Sequence, residues 1–110
     1  PVFVQLSDGH VRNNYTVKIR NMEQRPRTVQ LTVADLDGAA IWTSDGSVDR
    51  EDAAKSMEVA LAPDAVTKLR LFVAAPGKGE QRDDFTIRII AADDAQTMDE
   101  EAVVFERPAQ

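Results

Sequence analysis

Three residues near the start of the chain are of the types that hydrolases use. Ser7, Asp8 and His10 lie in one short segment, and His10 is the only histidine. Catalytic triads combine side chains that meet in space from separate segments and rarely come from one tight turn. The chain also lacks the Gly-x-Ser-x-Gly motif of a nucleophile elbow. The segment therefore favours a surface turn, and no catalytic residue is assigned.

Residue types that bind metals are few. The chain has no cysteine, which excludes disulfides, thiolate metal sites, iron–sulfur ligation and thiol catalysis within it. One histidine cannot supply an imidazole-rich site. Thioethers select Cu(I), but the methionines are scattered, which favours packing roles: Met22, Met57 and Met98. No metal or cofactor is assigned to this domain.

Two loops resemble parts of ion-binding or phosphate-binding motifs. Asp35–Gly38 is similar to part of a calcium loop, but Ser44 stands where the EF-hand pattern requires Glu. Pro76–Gly79 lacks the residues and the helix that follow in a P-loop. Both patterns are typical of turns. A further carboxylate group offers at most a weak site for a divalent ion: Asp45, Asp49, Glu51 and Asp52.

Apolar and polar residues alternate in most of the chain, which is the signature of half-buried strands. In Tyr15–Arg20, for example, the odd positions are apolar or aromatic and the even positions are polar. Turn-forming Gly, Pro and Asp residues separate the runs. A helical turn is expected only in Asp49–Ala54. The predicted strands contain Val2–Leu6, Tyr15–Arg20, Thr28–Val33, Ile41-Trp42, Met57–Leu61, Lys68–Val73, Phe85–Ile89 and Ala102–Phe105.

Strands with one apolar face must pair as two facing sheets. Seven to eight strands in 110 residues predict an all-β, immunoglobulin-like antiparallel β-sandwich without a disulfide, as one domain over residues 1–110. A small barrel is the alternative. Trp42, the only tryptophan, is expected to fill the space between the sheets or to contact a partner.

The net charge of the chain limits the classes of partner that it is expected to bind. The formal net charge is −6, from 13 Lys and Arg against 19 Asp and Glu. Along the sequence basic residues cluster only at Arg25–Arg27, which argues against binding nucleic acid or anionic lipid. The longest apolar run, Leu71–Ala75, is too short to span a membrane, so the isolated domain is not expected to insert. Because the chain begins at Pro1 without Met, we expect it to be part of a longer protein.

The segment Leu6–Asn21 resembles the opening of the C-terminal immunoglobulin-like domain of the FixG/CcoG family. That pattern runs through a strand, Ser-Asp-Gly, Arg-Asn and Tyr-Thr to a strand ending in Asn. From the residues alone, Asp8-Gly9 forms a turn, Arg12 and Asn13 bond neighbouring loops, and Tyr15 opens a core strand. The motif is thus predicted to be structural: Ser7, Asp8, Gly9, Arg12, Asn13, Tyr15 and Asn21.

The resemblance implies a role for the domain. FixG/CcoG proteins are bacterial inner-membrane iron–sulfur proteins that help to assemble, and supply copper to, a haem–copper terminal oxidase. This chain would then be a non-catalytic periplasmic domain of a membrane-anchored parent that docks unidentified protein partners or caps the membrane part. Two alternatives are a generic extracytoplasmic adhesion or interaction sandwich and a direct copper-binding domain.

Overall fold

The computed structural model describes residues 3–109, apart from the side chains of residues 95–98. They form eight β-strands and one short 3₁₀ helix, Arg50–Asp52. No helix in this part of the chain is long and apolar enough to cross a membrane. In chain order the strands are β1 (Phe3–Gln5), β2 (His10–Asn21), β3 (Arg27–Ala34), β4 (Ala40–Thr43), β5 (Ser56–Leu61), β6 (Ala65–Pro76), β7 (Arg82–Ala91) and β8 (Asp94–Glu106).

The strands form two four-stranded antiparallel sheets. One sheet has the order β1-β2-β6-β4 and the other β5-β3-β7-β8. We call them the β2 sheet and the β3 sheet. The two separate sheets confirm the predicted sandwich rather than the small barrel.

The core lies between the inward positions of the two sheets. Leu31 of β3, Leu71 of β6 and Phe105 of β8 are fully buried there. Phe85 contacts the ring of Tyr15 edge-on at 5.7 Å between centroids and that of Phe105 at 6.5 Å. The alternation predicted from the sequence is therefore the alternation that builds the core.

Strand ends differ from the expected ones. β8 begins at Asp94, well before the expected start at Ala102, because the chain turns at Ala92-Asp93 and pairs at once with β7. The helical turn expected in Asp49–Ala54 is the 3₁₀ helix, which is only three residues long.

Part of the β2 sheet is only two strands wide. β1 pairs with residues 11–13 of β2, and β4 pairs with residues 71–74 of β6. Within the part of the chain that the structure describes, residues 16–21 and 65–70 pair only with each other in this sheet, apart from the Ser44 N–H, which donates to the Arg70 carbonyl at 3.1 Å. We call this segment the β2–β6 ribbon.

Candidate functional site

Polar side chains of β2 hold the two sheets together. Asn13 is 3% exposed; its Nδ2 donates to the carbonyl of Glu106 at 2.9 Å, and its Oδ1 accepts from the Glu106 N–H at 2.8 Å. The Tyr15 hydroxyl donates to the Val104 carbonyl at 2.6 Å. Because Glu106 and Val104 belong to the edge strand β8, these bonds fix that edge to the opposite sheet.

The phenol of Tyr15 is held in its neutral form. Burial raises the pKa of Tyr15, and the negative charge of Glu106 raises it further. A neutral phenol can donate its proton to the Val104 carbonyl, whereas a phenolate cannot. The same burial that makes Tyr15 a core residue therefore also keeps it a hydrogen-bond donor.

Asn21 closes the other end of β2. Its Nδ2 donates to the carbonyls of Arg25 at 2.8 Å and Ala62 at 3.0 Å, and its Oδ1 accepts from the Glu23 N–H at 3.1 Å. One side chain thus joins the β2–β3 turn to the loop that precedes β6. Buried amides that are fully bonded in this way specify a fold and carry no spare group for chemistry.

The turn between β1 and β2 contains the triad-like residues. The Asp8 carboxylate accepts from the His10 N–H at 3.0 Å, and this bond is the main cause that lowers the pKa of Asp8. Arg50 reaches the same carboxylate at 3.0 Å. Gly9 adopts a φ of +88°, and its carbonyl accepts from the Gly77 N–H at 3.0 Å. Ser7 is exposed. The arrangement is that of a surface turn.

The prediction that Arg12 bonds a neighbouring loop is wrong. Arg12 lies at an outward position of β2, and its guanidinium stacks over the ring of Phe72 at 4.2 Å. Its Nε is buried and has no hydrogen-bond partner among the described residues. The strand pairing explains the difference, because Phe72 lies opposite Asn14, next to Arg12 on the outer face of the sheet.

Trp42 is buried, but not between the sheets as expected. Its neighbour Ile41 takes the inward position, so Trp42 faces outward and is 7% exposed. Its ring packs against Phe72 at 5.5 Å, and the guanidinium of Arg50 lies 5.7 Å from it. Trp42 therefore forms a small outer cluster with Phe72, which leaves little of its surface for a partner.

Arg107 is a structural residue whose role the sequence pattern did not predict. It is 4% exposed, and its guanidinium donates to the carbonyls of Pro76 at 2.8 Å and Glu80 at 2.9 Å and to the Asp83 carboxylate at 3.1 Å. A Cβ added at Gly79 would lie 2.7 Å from this guanidinium. A glycine in the β6–β7 loop was the only signal of such a close approach in the sequence.

The candidate metal-binding residues are not brought together. Met57 is buried in the core, Met22 is 75% exposed in the β2–β3 turn, and the side chain of Met98 lies outside the described residues. Among the residues described, no three His, Cys, Asp or Glu side chains form a group that could hold a metal ion. Asp45 instead accepts from the Ser47 N–H and hydroxyl, and these bonds lower its pKa to about 2.

Basic side chains gather on the outer face of the β2–β6 ribbon, which the linear sequence did not reveal. Lys18 and Lys68 lie directly opposite each other, with Arg20 and Arg70 on the same face, and all four are exposed. We call these four residues the cationic face. Within the described residues, six of the nine arginines form salt bridges; the other three, Arg12, Arg20 and Arg70, lie on this side of the β2 sheet. These four residues cluster in space and not along the chain, so the one basic cluster of the linear sequence, Arg25–Arg27, did not indicate them.

Two facing antiparallel sheets, joined by buried polar side chains, define an immunoglobulin-like sandwich domain. Residues 1–108 match the family described as "IG-like fold at C-terminal of FixG, putative oxidoreductase". The chain belongs to this FixG C-terminal family, as the resemblance of Leu6–Asn21 had indicated.

Relatives support the same membership. The nitrogen fixation protein FixG of Rhizobium meliloti (strain 1021) is 37% identical over 81 residues, and protein RdxA of Cereibacter sphaeroides is 36% identical over 76 residues. Each alignment covers 69% of this chain but 14% of the relative. This chain therefore corresponds to a small part of those proteins.

A solved structure shares the fold. The FixG-related protein from Vibrio parahaemolyticus superposes with a TM-score of 0.71 at 17% sequence identity. The match covers 93% of this chain and 84% of that one. At this identity the likeness bears on the architecture alone.

Proposed function

We propose that this chain is a non-catalytic docking domain of a FixG/CcoG-type membrane iron–sulfur protein. In this proposal it lies on the periplasmic side of the bacterial inner membrane, where its parent contributes to the assembly and copper supply of a haem–copper terminal oxidase. Membership of the FixG C-terminal family over residues 1–108 supports the parentage.

One observation carries the non-catalytic part of the proposal. Asn13, Tyr15 and Asn21, the polar motif residues inside the fold, all bond to backbone groups of the same domain. Catalytic groups must face a site where a substrate can reach them. These side chains face their own fold, so what they provide is a rigid sandwich.

The donor set of this chain does not fit an iron–sulfur cluster. Such clusters are held by cysteine thiolates, or by cysteine and histidine together, and this chain has no cysteine and one histidine. The redox chemistry proposed for the parent therefore belongs to residues outside this chain. The contribution of this domain is to present a preformed surface, which lowers the entropy cost of binding a partner.

The test compares three forms of the full-length parent in its own bacterium. One form is intact, one lacks this domain, and one carries an unrelated immunoglobulin-like sandwich in its place. Membrane levels of each form are measured with an epitope tag, together with the terminal oxidase activity of the membranes. We expect the deletion and the replacement to reach the membrane at normal levels and to lose oxidase assembly.

Each outcome bears on the proposal. Loss of assembly in both altered forms supports docking by a specific surface. Rescue by the unrelated sandwich would show that the domain only caps the membrane part, and would contradict docking. Normal oxidase activity after deletion would contradict any role in assembly.

A further inference from the structure

The cationic face is a concentration of positive charge in a negatively charged molecule. Lys18, Arg20, Lys68 and Arg70 are exposed, and the formal net charge of the chain is −6. Neighbouring strands lie roughly 5 Å apart and alternate residues of a strand roughly 7 Å apart. The four side chains therefore start from one small area of sheet.

Among the residues that the structure describes, no salt bridge neutralises the charges of the cationic face. None of its four residues forms a salt bridge among residues 3–109. The carboxylates that line grooves next to the cations form no ion pair with them: Asp45, Glu58, Asp64 and Asp99. Like charges directly opposite each other on paired strands destabilise a sheet. The Lys18–Lys68 pair is therefore unfavourable for folding in the free domain.

We propose that the cationic face binds a short acidic segment of a partner protein. This inference rests on the proposed docking function and assigns it a surface. Carboxylates placed between opposed lysines would relieve the repulsion, and arginines bind carboxylates through two parallel hydrogen bonds. Val66, opposite Arg20 and 50% exposed, adds an apolar contact at one end.

The charge distribution favours a short acidic segment over a larger polyanion. The domain measures 49 × 26 × 21 Å, and outside the cationic face its net charge is more negative than −6. A membrane or a nucleic acid extends beyond the ribbon, so it also meets the repulsion of this negative remainder, which at about 0.01 M salt reaches roughly 30 Å. A short peptide can lie along the ribbon over the four cations and avoid most of that remainder.

The test uses the 110-residue chain itself and a defined probe. The probe is a peptide of about six residues that alternates Glu and Gly, which is roughly the length of the ribbon. Its partner peptide has Gln in place of Glu, so that only charge differs. Binding is followed by backbone amide NMR shifts at about 20 mM and about 150 mM salt. We expect saturable shifts in the β2–β6 ribbon with the Glu peptide, weaker at high salt, and none with the Gln peptide.

Two double variants separate a local face from the overall charge. Lys18→Glu with Lys68→Glu is compared with Lys55→Glu and Lys78→Glu, which change the net charge equally at exposed lysines elsewhere. We expect the first pair to weaken binding at least about tenfold and the second less than about twofold. Should the first variant fold poorly, Lys18→Gln with Lys68→Gln and its matched control replace the pair.

The inference fails on any of three results. They are no saturable binding of the Glu peptide at low salt, equal weakening by both double variants, or tighter binding of phosphatidylglycerol vesicles or single-stranded DNA through the same amides. If oxidase assembly needs this domain but the domain fails to bind the Glu peptide, only this inference is contradicted. Intact assembly after domain deletion would instead contradict the proposed function.

Discussion

The Tyr15 hydroxyl links a single side chain to the pH dependence of the whole domain. The pKa of Tyr15 is raised by burial and by Glu106. A group with a raised pKa in the folded state contributes stability below its unfolded pKa, about 10 for tyrosine, and loses it as pH rises toward the folded value. Folding is therefore weakened by alkali through this residue.

This leads to a direct spectroscopic prediction, because Tyr15 is the only tyrosine. In an alkaline titration, tyrosinate absorbance should rise only well above pH 10, together with unfolding, whereas in denaturant it should rise near pH 10. Circular dichroism of the same samples follows the unfolding. Ionisation near pH 10 in the folded domain would contradict the buried hydrogen bond to Val104.

Asn13 should be far more sensitive to truncation than its neighbour. Asn13→Ala leaves the Glu106 N–H and carbonyl without their side-chain partner and should lower the free energy of unfolding by about 2–4 kcal/mol. Asn14 is exposed, so Asn14→Ala should change the free energy of unfolding by less than about 0.5 kcal/mol. Urea denaturation measures both. Equal effects would mean that Asn13 does not join the sheets.

The sequence predicts the roles of some residues and not of others. Tyr15 sits at an inward position of an alternating strand, so its burial could be predicted, but its bonding partner Val104 lies 89 positions away and could not. For Arg107 the sequence pattern offered no sign of burial besides the glycine in the β6–β7 loop, because Arg107 follows the last strand and its partners come from the β6–β7 region. The role of Arg12 was predicted wrongly because its contact with Phe72 arises only from the pairing of β6 with β2.

Pairing of β2 with β6 places two lysines opposite each other, which can be tested as a property of the element. Lys18→Glu places a negative charge directly opposite Lys68 and should raise the free energy of unfolding by about 0.2–1 kcal/mol. Lys55→Glu, at an exposed lysine outside the ribbon, serves as the control. The gain should shrink at high salt. A loss of stability with Lys18→Glu would contradict the repulsion inferred for this ribbon.

The β6–β7 loop should respond to loss of a glycine through its contact with Arg107. Gly79 and Gly46 both have positive φ angles, but only at Gly79 does an added Cβ meet the guanidinium, at 2.7 Å. Gly79→Ala should therefore cost about 1–3 kcal/mol more than Gly46→Ala, whose Cβ meets open space. Thermal or urea unfolding compares the two variants. Equal losses of stability would contradict the close packing of Arg107 against Gly79.

At the scale of the whole molecule, the sandwich could be predicted and its charged surface could not. The alternation in Tyr15–Arg20 and Lys68–Val73 shows which positions face inward, and this is enough to expect two sheets. It does not show that the two segments are neighbours or that Lys18 opposes Lys68. That pairing depends on the chain topology, since β3 to β5 separate the strands in sequence. The cationic face therefore became visible only in the folded molecule.

The central claim is that the domain contributes a rigid surface and no chemistry. The most direct measurement is terminal oxidase activity in membranes that carry the full-length parent with Tyr15→Phe, beside the intact and domain-deleted forms. Tyr15→Phe removes the only phenol but keeps the packed ring. We predict near-normal activity for Tyr15→Phe and loss of activity on deletion. Loss of activity with a folded Tyr15→Phe parent at normal membrane level, or full activity without the domain, would contradict the claim.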